Sequence, residues 1–310
     1  MKKLATLVLA LVLVAAVACA SATSIGVIQL VQHEALDLAT QGFIDAVTAA
    51  IPDAEIEVQN ASGDTPACST IANTFVSENV DLIMANATPA LQAASAATGD
   101  IPVLATSITE YGVALGIDDF SGVTGINVSG TSDLAPLSDQ AAMVKEIFPE
   151  AKKVGLLYCS AEANSIYQVK VVGEELAKLG YETEEFAFTD SNDVASVSAL
   201  AAQNCDVVYI PTDNTAAAYT ETIANELIPA KIPAVVGEEG ICKGCGVATL
   251  TISYYDIGYA TGLMAYEILA NGADISAMPI EYAPQFTKKY NAANAEALGL
   301  TIPADYTAIE

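Results

Sequence analysis

Short apolar runs alternate with segments of helical periodicity along most of the chain, and each half repeats the order β-α-β-α-β-α-β. This alternation is typical of βα units that pack on a parallel sheet. The predicted strands are 25–31, 56–58, 82–85 and 103–106 in the first half and 154–158, 184–188, 207–210 and 234–236 in the second. The predicted helices are 38–50, 66–77, 89–97, 167–179, 193–202 and 216–227. The pattern therefore predicts two α/β lobes of similar build.

The segment between the two halves, 122–130, is rich in glycine and β-branched residues and suits an extended hinge strand better than a helix. After Gly246 the order breaks, because a strand-like run at 247–252 leads into a helix at 254–270 that Gly272 is expected to cap. Such a departure from the repeated order is expected where the chain crosses back from the second lobe to the first. We therefore expect a first lobe of residues 24–127 and 250–277 and a second lobe of residues 128–249 and 278–310.

The N-terminus has the order of an export signal: two lysines, an apolar run at 4–18, then small residues. The run is shorter than the roughly 20 residues that a membrane-spanning helix needs, so we expect residues 1–20 to be a cleaved signal peptide. Two processing routes fit: acylation of Cys19 in a lipoprotein box at 16–19, or ordinary secretion at 18–20. Both make the mature protein extracytoplasmic. Acylation would anchor it to the outer face of the cell membrane, which in a Gram-negative cell borders the periplasm.

The charge of the chain limits its partners. The net charge is -27, no arginine is present, and no lysine lies between Leu4 and Val144, a stretch with fifteen carboxylates. Nucleic acids and anionic membrane surfaces bind clustered cations, so neither is expected as a partner. Without arginine there is no bidentate clamp for a carboxylate or phosphate. Backbone N–H groups, hydroxyls or lysine must hold any anionic group of a ligand.

Six cysteines are present. Cys68 falls on an apolar helical stripe, which predicts a buried thiol. Cys242 and Cys245 lie in a glycine-rich segment, where an oxidising compartment favours a disulfide over the alternative of a redox pair. The remaining cysteines have no metal-ligand spacing and His33 is the only histidine, so we expect neither a metal site nor a cofactor.

Polar residues follow most of the predicted strands. In open parallel sheets, ligands bind beyond the carboxyl ends of the strands, so two facing rows of such residues would form a cleft. The first lobe offers Gln32, His33 and Glu34, then 86–88 and 107–110; the second offers Ser160, Asn164 and Ser165, then 212–214, then Glu238 and Glu239.

Several of these residues have two interpretations. Thr88 opens a helix, where its hydroxyl and the free N–H groups could hold a ligand carboxylate, or where it is a plain N-cap. The same choice applies to Ser165. We expect Asp213 to meet a ligand ammonium in a water-poor cleft, the alternative being a cap for the helix at 216. Either Glu238 or Glu239 would share that ammonium.

Catalytic chemistry has little support in the sequence. His33 has no Ser/His/Asp context, so we expect it to be a hydrogen-bonding residue of the cleft rather than an acid or base. Nucleophile elbow, Walker, dinucleotide-binding and H-E-x-x-H motifs are missing from the sequence. We therefore expect a protein that is not an enzyme.

Seven short runs together resemble the tryptophan/tyrosine-type family of ABC-transporter substrate-binding lipoproteins, which has the type I periplasmic-binding-protein fold. The runs are IGVIQ at 25–29, HEALD at 33–37, GVTG at 122–125, KVGLLY at 153–158, YIPTDN at 209–214, GEEG at 237–240 and DIGY at 256–259. They extend nearly from Ser24 to the C-terminus. Singly none is specific, but together they are.

This resemblance implies two Rossmann-like lobes joined by a three-strand hinge, and a monomer whose cleft closes on one small molecule. The expected ligand is an aromatic or branched-chain amino acid, delivered to an ABC permease in the membrane. By analogy with the family, the ligand contacts are Asn86, Thr88, Thr106 and Ser107 in one lobe and Ser160, Ser165, Asp213 and Glu238 in the other. The alternative function is a ligand-sensing protein that acts on a membrane receptor.

Overall fold

The computed structural model describes residues 22–309; the predicted export signal, with Cys19, lies outside them. The first lobe is built on six parallel strands. In spatial order they are β11 (Glu281–Tyr282), β5 (Val128–Ser132), β4 (Val103–Ile108), β3 (Leu82–Asn86), β1 (Ser24–Gln29) and β2 (Glu55–Asn60). The helices of this lobe are α1 (Glu34–Ala50), α2 (Thr65–Glu78), α3 (Thr88–Ala97), α4 (Tyr111–Leu115) and α11 (Tyr254–Leu269).

Helices α1 and α11 pack against each other with almost no space between their backbones. A Cβ added at Gly258 would lie 2.0 Å from the Ala39 carbonyl oxygen, and one at Gly42 would lie 2.1 Å from that of Tyr255. Only glycine permits such an approach. This contact holds α11, which comes late in the chain, on the first lobe.

The second lobe is a seven-stranded sheet in which every neighbouring pair is parallel except β10 with β12. Its strands, in spatial order, are β13 (Thr307–Ala308), β12 (Thr287–Tyr290), β10 (Ala248–Thr251), β9 (Ala234–Val236), β8 (Val207–Ile210), β6 (Lys153–Cys159) and β7 (Glu182–Phe188). Its helices are α5 (Leu137–Ile147), α6 (Ala163–Lys178), α7 (Val194–Asn204), α8 (Asn214–Ala218), α9 (Thr220–Leu227), α10 (Glu239–Gly244) and α12 (Ala292–Leu298).

The chain crosses between the sheets three times, at 133–136, 252–253 and 283–286. These crossings lie a few residues beyond the expected lobe boundaries at 127/128, 249/250 and 277/278. The reason is strand pairing: β5 and β11 pair with each other in the first sheet, while β10 pairs with β9 in the second. The C-terminal part of the segment 122–130, which was interpreted as a hinge strand, therefore belongs to β5 of the first sheet.

The two-lobed α/β architecture predicted from the sequence is confirmed, and the eight predicted strands are all present. One predicted helix, 216–227, is divided at Tyr219 into α8 and α9. None of the helices within residues 22–309 is long and apolar enough to cross a membrane.

The prediction for Cys68 is confirmed, since its thiol is fully buried in the core of the first lobe. The structure does not contain the disulfide predicted between Cys242 and Cys245: both are free thiols. Their segment folds as α10 rather than as a loop, and both side chains pack in an apolar cluster of the second lobe.

Candidate functional site

The carboxyl ends of the strands in the two lobes face each other across a cleft. His33, after β1, reaches Asn214, after β8, with 3.3 Å between Nε2 and Oδ1. Behind this contact lies a small cavity, the inner chamber, with about 10 Å³ of free space. Its polar lining includes Ser107, Asp133, Asn164, Asp213, Glu238 and Tyr254.

Unpartnered polar atoms are concentrated around this cleft. Of the seven buried side-chain oxygen or nitrogen atoms that make no hydrogen bond within residues 22–309, five lie between one residue before and five residues after the carboxyl end of a strand. They are Asn86 Oδ1, Thr88 Oγ1, Ser107 Oγ, Asp133 Oδ1 and Asn164 Oδ1. Ser107, Asp133 and Asn164 also line the inner chamber. Buried polar groups in proteins nearly always have partners, so these three together indicate a site for a polar ligand.

Two strand ends in the first lobe also have unusual backbone. Ala87 has φ of 89° and Ser107 has φ of 57°, a region that residues with a side chain rarely adopt. Ala87 directly precedes the unpartnered Thr88, and Ser107 is itself unpartnered. Strained backbone of this kind is often found where side chains are held for a ligand.

Asp213 is buried, but both of its carboxylate oxygens already have partners. Oδ1 accepts from the Ala216 N–H at 2.7 Å, and Oδ2 accepts from the Cys159 N–H at 2.6 Å and the Ser165 hydroxyl at 2.7 Å. Burial, followed by the nearby charge of Glu162, raises the pKa of Asp213. Asp213 therefore caps α8 and links it by hydrogen bonds to Cys159 of β6 and Ser165 of α6.

Glu238 also faces the inner chamber while capping a helix. Its carboxylate accepts from the backbone N–H groups of Gly240 and Ile241 at the start of α10, and burial raises its pKa to about 7. The neighbouring Glu239 does not line the inner chamber and instead binds Lys289 at 2.7 Å. The structure thus distinguishes two glutamates that the sequence left equivalent.

Asp133 is the residue that sequence reasoning missed. It lies just after β5 at the first crossing, is 5% exposed, and accepts a hydrogen bond of 3.0 Å from the Tyr254 hydroxyl through Oδ2. Burial raises its pKa to about 6, against the opposing effect of the hydrogen bond from the Tyr254 hydroxyl. The signal was available, since Asp133 follows a strand just as the other candidates do, but 122–130 had been interpreted as a hinge.

Six of the ten predicted ligand-binding residues do not line the inner chamber: Thr88, Ser165 and the four that follow. Thr106 bonds Thr131 at 3.0 Å beneath the first sheet, and the Ser160 hydroxyl donates to the Phe188 carbonyl at 3.2 Å. Gln32 is exposed at the mouth of the cleft. The Asn86 amide nitrogen donates to the Leu36 carbonyl, leaving only its oxygen unpartnered.

A larger cavity, the outer chamber, opens beside the inner one and shares Asn214 with it. It has a volume of about 340 Å³ and lies between Leu30, Val31 and Pro89 of the first lobe and Cys159, Glu162 and Tyr219 of the second. Burial raises the pKa of Cys159 to about 12, so its thiol stays protonated at neutral pH. Within the described residues, no group of three or more His, Cys, Asp or Glu side chains has the arrangement of a metal site.

Comparisons with known proteins identify the family to which the chain is similar. Residues 24–308 match the family model described as ABC transporter substrate binding protein. A tyrosine-binding protein of Clostridioides difficile strain R20291 is 36% identical over 261 residues, which is 83% of this chain and 75% of that protein.

Two solved structures show which arrangement of lobes this chain resembles. A Streptococcus pneumonia ABC domain in complex with L-Trp is 31% identical, with a TM-score of 0.88 over 93% of this chain and 100% of that one. The ligand-free, open structure of CD0873 from Clostridium difficile is 35% identical. Its TM-score is only 0.69, over 93% of this chain and 99% of that one. Together with the contact between His33 and Asn214, this indicates that the lobes lie closed together.

The two lobes, the cleft at the carboxyl ends of their strands and the match over nearly the whole described chain lead to one assignment. The chain belongs to the family of ABC transporter substrate-binding proteins, with the type I periplasmic-binding-protein fold, and it is the solute-binding component of such a transporter.

Proposed function

We propose that the solute is an aromatic amino acid, bound with its α-carbon at the junction of the two chambers. The observation that carries this proposal is the contrast between them. The inner chamber is small, buried and rich in unpartnered oxygen atoms, whereas the outer one holds about 340 Å³ and includes apolar walls. A ligand with a compact polar end and a large side chain fits this pair.

The outer chamber suits an aromatic ring. Leu30, Val31 and Pro89 supply apolar surface on one side, and Tyr219, which is 40% exposed, offers an aromatic face on the other. The relatives support this class, since one is named a tyrosine-binding protein and another was solved with L-Trp.

Neutral groups would hold the carboxylate of the ligand. Neither chamber has a lysine in its lining, and the sequence has no arginine. Helix α3 begins at Thr88, whose buried hydroxyl has no partner, and Pro89 borders the outer chamber. The free N–H groups of a helix N-terminus, together with a hydroxyl, bind a carboxylate well.

The protein acts by binding rather than by turnover. His33 has Asn214 as its hydrogen-bond partner, and the thiol of Cys159 is protonated, so no activated nucleophile faces the cleft within the described residues. Closure of the lobes around the ligand produces the form that docks on the permease, and the binding unit is a monomer.

Substrate-binding proteins of ABC importers work outside the cytoplasm, and we propose that Cys19 carries the lipid that anchors this one. Detergent-phase partitioning of the cell-expressed protein tests this. The wild type should enter the detergent phase, and Cys19→Ser should remain in the aqueous phase. Recovery of both in the aqueous phase would favour ordinary secretion.

Calorimetric titration of the mature protein with L-tyrosine, L-tryptophan, L-phenylalanine and L-leucine tests the ligand class. A ligand at a hundredfold excess over Kd stabilises the folded state by about 2.7 kcal/mol, so thermal unfolding provides a second reading. We expect tyrosine or tryptophan to bind most tightly. Tighter binding of leucine would shift the assignment to branched-chain amino acids, and no binding by any of the four would refute it.

A further inference from the structure

We infer that Asp133 and Asn164 together form the ammonium site of the ligand, and that this site lies on the hinge rather than on either lobe alone. The inference rests on the proposed function, because it assumes that the ligand is an amino acid. It replaces Asp213, which the sequence favoured for this role.

The inner chamber supplies the acceptors that an ammonium group needs. An ammonium group donates three hydrogen bonds and needs three acceptors. Asp133, Asn164 and Ser107 all line the inner chamber, and within the described residues each has a buried side-chain oxygen without a hydrogen-bond partner: Oδ1, Oδ1 and Oγ. Asp133, Asn164 and Ser107 are 5%, 5% and 6% exposed, so bulk water does not satisfy these atoms.

The orientation of Asn164 is fixed by its other contacts. Its Nδ2 donates to the Thr212 carbonyl at 3.0 Å and to Glu162 Oε2 at 3.2 Å. Both partners are acceptors only, so the nitrogen faces them and the oxygen is the amide atom that is left without a partner. Asn164 therefore presents an acceptor, which suits a cation and not a carboxylate.

The size and charge of the chamber agree with this assignment. Free space of about 10 Å³ is enough for one water-sized group, which an ammonium is and an aromatic ring is not. Three carboxyl groups, those of Asp133, Asp213 and Glu238, line the chamber without a lysine. Only Asp133 keeps an oxygen unpartnered, since backbone N–H groups occupy the oxygens of the other two.

The position of Asp133 explains how binding would favour closure. Asp133 begins the first crossing between the lobes, and its other oxygen bonds Tyr254, which directly follows the second crossing. Asn164 belongs to the second lobe. An ammonium bonded to both would therefore tie the hinge to the second lobe, and an amine-free ligand would lose this connection.

The test compares ligands with and without the amine. Calorimetry with L-tyrosine and with 3-(4-hydroxyphenyl)propionate, which lacks only the ammonium, gives an affinity ratio for each variant. We expect the ratio to fall about 10- to 100-fold in Asp133→Asn, the range for a hydrogen bond to a charged group. Asn164→Ala should lower it less, and Asp139→Asn, a surface carboxylate, should leave it unchanged.

Other outcomes separate the two proposals. An unchanged ratio in folded Asp133→Asn, or an equal loss of both ligands, would overturn the ammonium site while leaving amino-acid binding intact. Failure of the wild type to bind L-tyrosine or L-tryptophan would overturn the proposed function and this inference with it. The affinity of the wild type for L-tyrosine should also fall as the pH drops below about 6, and that of Asp133→Asn should depend less on pH.

Discussion

The imidazole Nε2 of His33 and the amide oxygen of Asn214 form a hydrogen bond of 3.3 Å that joins the two lobes across the cleft. The Asn214 amide nitrogen donates to Glu162 at 2.6 Å, so its oxygen faces His33 and Nε2 must carry the proton. Burial lowers the pKa of His33, and the imidazole is neutral at pH 7.

We expect His33→Ala to weaken ligand binding about 2- to 10-fold, the worth of one hydrogen bond, by favouring the open form. Calorimetry measures the affinity, and small-angle scattering measures the radius of gyration without ligand. Lys243→Ala is the matched control: it removes an exposed ion pair to Glu34 across the same cleft, which should change the affinity less than twofold at physiological salt. Equal effects of the two variants on affinity would contradict a role of the His33–Asn214 hydrogen bond in stabilising the closed form.

The close packing of α1 on α11 gives a second prediction. Gly258→Ala should lower the free energy of unfolding by about 1–3 kcal/mol, because its Cβ would collide with the Ala39 backbone. Urea denaturation provides the measurement. Gly99→Ala adds the same methyl group where no atom lies within 4 Å and should have little effect. If Gly258→Ala were as stable as Gly99→Ala, the two helices would not be in such close contact.

Asp213 should behave as a structural residue. Asp213→Ala leaves the buried N–H of Cys159 without its acceptor and removes the cap of α8, so we expect a loss of about 3 kcal/mol in unfolding free energy. Ser165→Ala removes one bond to the same carboxylate and should cost about 1 kcal/mol. The affinity ratio between L-tyrosine and its amine-free analogue should not change in Ser165→Ala. A stable Asp213→Ala that no longer discriminates the amine would restore the role expected from the sequence.

The protein should be more stable in mild acid than at pH 8. Glu238 and Asp133 have pKa values raised to about 7 and about 6, whereas in the unfolded chain they ionise near 4.5 and 3.8. Folding therefore takes up protons between about pH 4 and pH 7, and stability falls as the pH rises through this window. We expect Tm to increase as the pH is lowered from 8 to 5. Glu238→Gln should flatten this slope, whereas Glu78→Gln, which removes an exposed carboxylate, should not.

Strand periodicity and the rule that ligands bind at strand ends were enough to predict the lobes and part of the cleft. Ser107 and Glu238 face the inner chamber as that rule requires. The rule does not give the direction of a hydroxyl, and so Thr106 and Ser160 bond neighbouring strands instead. Asp133 was missed because 122–130 was interpreted as a hinge, whereas pairing with β4 makes β5 a strand of the first sheet that ends just before Asp133.

The three crossings have a consequence for how this chain is made. The edge strand β11 and the helix that covers α1 both belong to the first lobe, yet they come from residues 254–282. A polypeptide that emerges N-terminus first cannot complete its first lobe until residue 282 of its 310 residues has been released. Until then the face of α1 that carries Gly42 has no helix to pack against, so the first lobe must fold after synthesis of most of the chain rather than during it.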